Sequence, residues 1–195
     1  MSAPRILVFA GSARREALSK RLLSACIRPL EAAGAQLNVV DLADYPAPLY
    51  NGDLEAESGI PPSMISLQQH LAASDGLLVV SPEYNGSIPP LLKNTLDWCS
   101  RPNPADPERS GGGIFAGRPA AVLASSPGPM GGVRVLFHLR DILGYLGMYV
   151  IPQQLGVGQA GAAIGDDLRL LDPRQQAMLE GIASALTTAA CKLRA

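Results

Sequence analysis

Gly76-Leu77-Leu78-Val79-Val80-Ser81-Pro82-Glu83-Tyr84-Asn85-Gly86-Ser87-Ile88-Pro89 passes from an unbroken apolar run into a compact polar turn and then toward a helix-like stretch. An apolar run without alternation suits a strand covered on both faces, as in a parallel sheet. The turn then falls at the carboxyl end of that strand, where open α/β sheets bind ligands. Its glycine permits close approach of a flat molecule, its main chain offers several groups to a ring edge, and its proline suits the start of a helix. The stretch reads as a cradle for a planar heterocycle.

Outward from it, short apolar runs alternate with longer amphipathic ones, the pattern of strands joined by crossover helices. Strands are expected at Arg5 to Ala10, Gln36 to Val40, Gly76 to Val80, Pro119 to Ala124 and Met148 to Ile151. Helical spacing covers Leu18 to Ala33 with Gly34 as C-terminal cap, Pro62 to Ala73, Pro89 to Cys99 and Gly131 to Leu146. Asp172-Pro173, an N-cap followed by a first-position proline, opens a last helix to about Cys191. Five strands alternating with five helices in so short a chain predict an α/β, flavodoxin-like, doubly wound parallel sheet of order 2-1-3-4-5. Arg101 to Gly117 and Gly156 to Asp167 stay irregular, as lid, interface or mobile segment.

The chain has 195 residues, 47% of them hydrophobic, and no shift in composition that would mark a second domain, so residues 1–195 are expected to form one. A net charge of -1 with only 17% charged residues argues against nucleic acid or an anionic membrane as partner. The apolar runs are too short to span a bilayer, and no signal-peptide layout opens the chain; a cytoplasmic protein is expected. Cys26, Cys99 and Cys191 lack disulfide, zinc or dithiol spacing, and His70 and His138 lack ligand-spaced neighbours, so no metal site is expected.

Two further loops join the first. Gly11-Ser12-Ala13-Arg14-Arg15-Glu16-Ala17-Leu18-Ser19 sets hydroxyls and arginines ahead of a helix start, where free N–H groups favour a phosphate. Without a Gly-x-Gly-x-x-Gly or Walker pattern, a terminal monophosphate fits better than a pyrophosphate; the alternative is an ordinary loop with Ser19 as N-cap. Ser125-Ser126-Pro127-Gly128-Pro129-Met130-Gly131-Gly132 supplies small residues after the fourth strand. Phosphate on the first loop and a ring between the other two is the arrangement flavin mononucleotide (FMN) requires. Asp41 reads as a loop cap, Trp98 as core or interface, and Arg101 and Arg118 as solvated charges or anchors for an NADPH phosphate.

Gly11-Ser12-Ala13-Arg14, Pro48-Leu49-Tyr50-Asn51, Ser81 through Pro89 followed by Leu92-Lys93-Asn94 and Asp97-Trp98, then Ser126-Pro127-Gly128 with Gly131-Gly132, resemble the NADPH-dependent FMN reductase family, which includes quinone, chromate and azo-dye reductases. The resemblance implies bound FMN, NADPH or NADH as reductant, ping-pong transfer to a small-molecule acceptor such as a quinone, flavin, azo compound or oxyanion, and a homodimer or homotetramer. It further implies Ser12, Arg14 and Ser19 at the phosphate, Pro82, Glu83, Tyr84, Asn85 and Gly86 along the isoalloxazine, and Ser126 and Gly128 near the ring. No catalytic acid, base or nucleophile is implied, since the flavin carries the hydride chemistry. The family commonly has Ser-x-Asn where this chain has Ala17-Leu18-Ser19, so weaker FMN retention is expected. A flavodoxin-like electron carrier and a fold-retaining protein without cofactor are the competing expectations; carriers are usually strongly acidic.

Overall fold

The apolar runs form five parallel strands, β1 (Arg5–Ala10), β2 (Gln36–Asp41), β3 (Gly76–Pro82), β4 (Pro119–Ser125) and β5 (Tyr149–Val157). Their order is β2-β1-β3-β4-β5, the flavodoxin-like order expected from the alternation. The structure is a computed structural model describing residues 2–194. Among the described residues seven α-helices connect or flank the strands: α1 (Leu18–Ala32), α2 (Gly52–Ser58), α3 (Pro62–Ala72), α4 (Pro90–Cys99), α5 (Val133–Tyr145), α6 (Ala160–Ala163) and α7 (Pro173–Leu193).

Two apolar layers follow from the period of two along each strand. Val8, Leu78, Val80, Ala121 and Leu123 pack with residues of α1 and α7, while Leu7, Phe9, Leu77, Val79 and Val122 pack with residues of α3, α4 and α5. β3 and β4 are buried along almost their whole length. Each fully buried aliphatic side chain contributes about 1.5–3 kcal/mol of transfer free energy, which offsets the entropy of ordering the strand. Among the described residues no helix is long and apolar enough to cross a membrane.

β5 is longer than its sequence suggests. Pro152 and the pair Gln153-Gln154 read as a strand end, yet the strand continues through an irregularity opposite Ala121, where pairing jumps from Ala120 with Val150 to Val122 with Gln154. An edge strand tolerates a proline at such a bulge because no inner ladder bond is lost. The Arg140 guanidinium holds the bulge, donating to the carbonyls of Ile151 at 2.7 Å and Val150 at 3.3 Å. The irregular segment from Arg101 is also anchored: its 3-10 turns at Pro107–Arg109 and Gly111–Ile114 lead to buried Ile114 and Phe115.

Past the bulge, β5 delivers Gly156 and Gly158 against the loop that follows β4. A methyl group on Gly158 would lie 2.3 Å from the Pro129 carbonyl oxygen, and one on Gly131 would lie 2.7 Å from the Gly156 carbonyl carbon. Gly158→Ala should therefore cost about 1–3 kcal/mol through overpacking. Gly181→Ala, on the open face of α7, should instead add about 0.5–1 kcal/mol by helix propensity. Urea midpoints of the two variants check the contrast.

Candidate functional site

Beyond β3 the chain turns back on itself. Tyr84 and Ser87 exchange both main-chain hydrogen bonds at 3.0 Å, and the residues between them, Asn85 and Gly86, take φ of 51° and 79°. Two consecutive positive-φ residues make the tight hairpin turn that Asn-Gly favours, because other side chains meet their own backbone there. Asn85 and Tyr84 are exposed on this turn. Glu83 lies at its base, and its carboxylate accepts from the N–H groups of Arg134 at 3.0 Å and Val135 at 3.2 Å, in the first turn of α5.

The loop after β4 is shaped by main chain. The Ser126 hydroxyl accepts from the Gly128 N–H at 3.1 Å, while the Gly128 carbonyl accepts from the Gln159 N–H at 3.1 Å. The Ser126 carbonyl accepts from the Ala160 N–H at 3.0 Å. Gln159 is left-handed, with φ of 46°, a conformation that costs a non-glycine residue free energy and persists because these bonds fix it. Gly131 and Gly132 are left-handed as well, turning the chain into α5.

After β1, Gly11 donates to the Val80 carbonyl at 2.9 Å and prolongs the sheet. The Ser12 hydroxyl accepts from the Arg14 N–H at 3.3 Å. The helix cap differs from the Ser19 alternative: Ala17 occupies the N-cap of α1, supplies no side-chain bond, and no acidic residue stands in the first turn. Ser19 lies inside the helix, 1% exposed, and its hydroxyl has no hydrogen-bond partner among the described residues. An uncapped helix start beside an unpartnered hydroxyl and the exposed Arg14 is a donor set suited to an anion. A phosphate there would meet the positive end of the helix dipole, and the residues fit that part of FMN.

Three loops with these properties therefore line one sheet edge. Residues 4–162 match the model of the NADPH-dependent FMN reductase family. The chain belongs to this family. An NAD(P)H-dependent FMN reductase of Pseudomonas aeruginosa is 32% identical over 191 residues, covering 97% of each chain. A 2-hydroxy-1,4-benzoquinone reductase of a Burkholderia species is 33% identical over 173 residues, covering 85% of this chain and 88% of its own length. Among solved structures, the flavoenzyme NAD(P)H:(acceptor) oxidoreductase FerB of Paracoccus denitrificans superposes with a TM-score of 0.80 at 28% identity, covering 97% of this chain and 98% of its own. Pro82 closes β3, and Ser12, Arg14, Ser19, Glu83 through Gly86, Ser126 and Gly128 follow strand ends on the same edge of the sheet.

Other residues singled out from sequence have different places. Arg118 precedes β4, so it lies at the amino end of the sheet, where it donates to the carbonyls of Ser74 at 2.9 Å and Ile114 at 2.6 Å. Burial lowers its guanidinium pKa. It is neither a solvated charge nor near the ligand edge. Arg101 pairs with Glu55 at 2.8 Å and lies 5.5 Å from the centroid of the Tyr50 ring. Asp41 does cap its turn, accepting from the Ala43 N–H at 3.0 Å, and also binds Lys20 at 2.5 Å. Burial favours its neutral form, yet Lys20 and the Ala43 N–H hold its carboxyl below the usual range. Trp98 is buried and donates to the Pro48 carbonyl at 2.8 Å. Burial pushes the Cys26 thiol up to about 12 and raises that of Cys99, leaving both unreactive. Among the described residues no cluster of metal-ligating side chains occurs.

Sequence reading missed the return of β5 to this edge through Gly156, Gly158 and Gln159, and the partner of Glu83. Glycine pairs flanking a polar edge strand were the available signal for the first. Nothing local signals the second, because Arg134 is 51 residues away.

Two outcomes follow from these contacts. In flavin-free protein Ser19→Ala should leave stability unchanged or raise it by about 1 kcal/mol, since it removes a buried hydroxyl that has no partner; thermal unfolding reads this. Arg101, against an opposing burial effect, holds the Glu55 carboxyl below the usual range, with the Tyr50 hydroxyl helping at 2.9 Å. A lowered folded value means the stabilisation is full above the ordinary glutamate value of about 4.3 and is lost as pH falls through the lower folded one. Glu55→Gln should flatten that acid limb in urea titrations run from neutral to about pH 3.

Proposed function

We propose that the protein is an NAD(P)H-dependent, FMN-containing oxidoreductase that reduces quinone-type acceptors, with free flavin, azo compounds and oxyanions as further candidates. The observation that carries this reading is the unpartnered Ser19 hydroxyl at the uncapped start of α1, on the same sheet edge as the Asn85-Gly86 hairpin. Family membership and the names of the relatives support it.

When bound, FMN supplies acceptance of a hydride from the nicotinamide and its delivery as electrons to the acceptor. The chain's own residues do the rest. The α1 N–H groups, Ser19, Ser12 and Arg14 would hold the phosphate. The main chain at Pro82, Glu83, Asn85 and Gly86 would border the ring, together with Ser126 and Gly128 from the loop after β4. Asn85 and the hairpin N–H groups would supply hydrogen-bond donors to the ring edge. Tyr84, 50% exposed, offers an aromatic wall to the acceptor. Use of one open face in turn by nicotinamide and acceptor would give ping-pong kinetics. Phe137 and Tyr145, both exposed on α5, are large apolar side chains that a subunit contact in a homodimer or homotetramer would cover.

Flavin-stripped protein, mixed with FMN and desalted, should retain a flavin spectrum that bleaches anaerobically on addition of NADPH or NADH. Retention without bleaching by either nicotinamide would leave an electron carrier; no retention and no thermal shift would leave the fold alone. Ala17 in place of a hydroxyl predicts an FMN affinity that Ala17→Ser improves by about tenfold, or roughly 1.4 kcal/mol, in a fluorescence titration.

A further inference from the structure

α5 begins without a cap of its own. The residue ahead of it, Gly132, has φ of 76°, offers no side chain, and no acidic residue stands in the first turn. A side chain could not be added there cheaply. A methyl group on Gly132 would lie 3.0 Å from the Ala124 Cβ, in a conformation that disfavours any non-glycine residue. The missing cap comes from a different loop. Oε2 of Glu83 accepts from the N–H groups of Arg134 and Val135, and Oε1 lies 3.4 Å from the Arg134 guanidinium. The Glu83 side chain is only 14% exposed, whereas that of Arg134 is 62% exposed. The main-chain bonds, with the helix dipole behind them, therefore carry more of this interaction than the ion pair does.

A second tether lies one helical turn further on. The Ser87 hydroxyl and Nδ1 of His138 are 2.9 Å apart. The hairpin Tyr84 to Ser87 is thus held to α5 just before its first residue and at its last. The same helix receives the loop from β4, which is locked against Gly156 and Gly158. Hairpin and β4 loop consequently share one reference body, the first two turns of α5.

We propose that Glu83 is a positioning residue: its carboxylate serves as the cap of α5 and thereby fixes the gap between the hairpin and the β4 loop in which the flavin ring is held. This rests on the flavin reading above. The Glu83 side chain does not act as a ligand of the ring; its contribution to binding is the spacing it imposes. A displacement of about 1 Å at such a gap is enough to lose about a hundredfold in rate.

The test compares wild type, Glu83→Gln, Glu83→Ala, Arg134→Ala and His138→Ala in flavin-stripped form. Thermal unfolding, FMN titration by fluorescence, and kcat and KM for NADPH at saturating FMN are measured well below each unfolding transition. Glu83→Ala should bind FMN at least about tenfold more weakly and turn over more slowly even when saturated. Glu83→Gln keeps an acceptor oxygen for the two N–H groups and should rescue FMN affinity to within about threefold of wild type. Arg134→Ala should bind FMN like wild type, and His138→Ala should fall between. If Glu83→Ala proves too unstable to measure, the order wild type, Glu83→Gln, His138→Ala decides, with loss in His138→Ala and none in Glu83→Gln expected. A Glu83→Ala protein that unfolds earlier yet binds FMN and turns over normally overturns the proposal, as does a Glu83→Gln protein no better than Glu83→Ala. Wild-type protein that takes up no flavin overturns the flavin reading together with this one. Normal uptake with unaltered binding in Glu83→Ala overturns only this one.

Discussion

Burying both faces of β1, β3 and β4 leaves polar groups room only at the carboxyl ends of those strands, where Ser81 and Ser125 stand, or beyond them. An unpaired polar atom inside such a sheet costs about 1–3 kcal/mol, so hydroxyls, amides and charges accumulate in the loops. Parallel direction then decides which loops share an edge: everything following a strand lies together, and everything preceding one lies at the opposite end. Arg118 illustrates the rule. It immediately precedes β4, and that alone removes it from the edge carrying Ser12, Asn85 and Ser126.

The parts of the fold that were legible are those written in local pattern. The apolar run at Leu77 to Val80 and the Asn85-Gly86 pair gave β3 and its hairpin, because period and turn chemistry act over a few residues. Helix starts at Pro62 and Asp172 were legible for the same reason, and Asp172 does accept from the Arg174 N–H at 2.9 Å. β5 was cut short because Pro152 and two glutamines look like a strand end; tolerance of a bulge depends on an edge position that only the assembled sheet defines. α2 was missed as well, since Gly52–Ser58 has no buried residue and hence no apolar stripe to read. Its Glu55 pairs with Arg101 from a distant segment.

At the candidate site the same division holds. Residue types and their places on the chain were readable: Pro82 closes β3 and the other nine follow strand ends at the same edge. What each side chain does was not. The Ser12 hydroxyl accepts from its own loop and keeps its O–H to donate, Ser19 leaves its hydroxyl unpartnered, and Glu83 turns to a helix. These are outcomes of which neighbour arrives first in three dimensions. The Pro48 to Asn51 segment behaves alike: Asn94 and Trp98 both donate to the Pro48 carbonyl, and Asn94 accepts from the Tyr50 N–H at 2.7 Å.

Where Gly128 to Gly131 meets Gly156 to Gly158, carbonyl and amide touch with almost no side chain intervening. A surface composed of backbone cannot be recontoured by exchanging one amino acid for another; nearly any larger residue breaks it instead of reshaping it. Diversity in what the protein accommodates must then be expressed at the rim, where Tyr84 and Met130 project into solvent with freedom to vary. Substitution at this end of the molecule is thereby confined to the side chains around the seam, while the backbone contact itself stays the same.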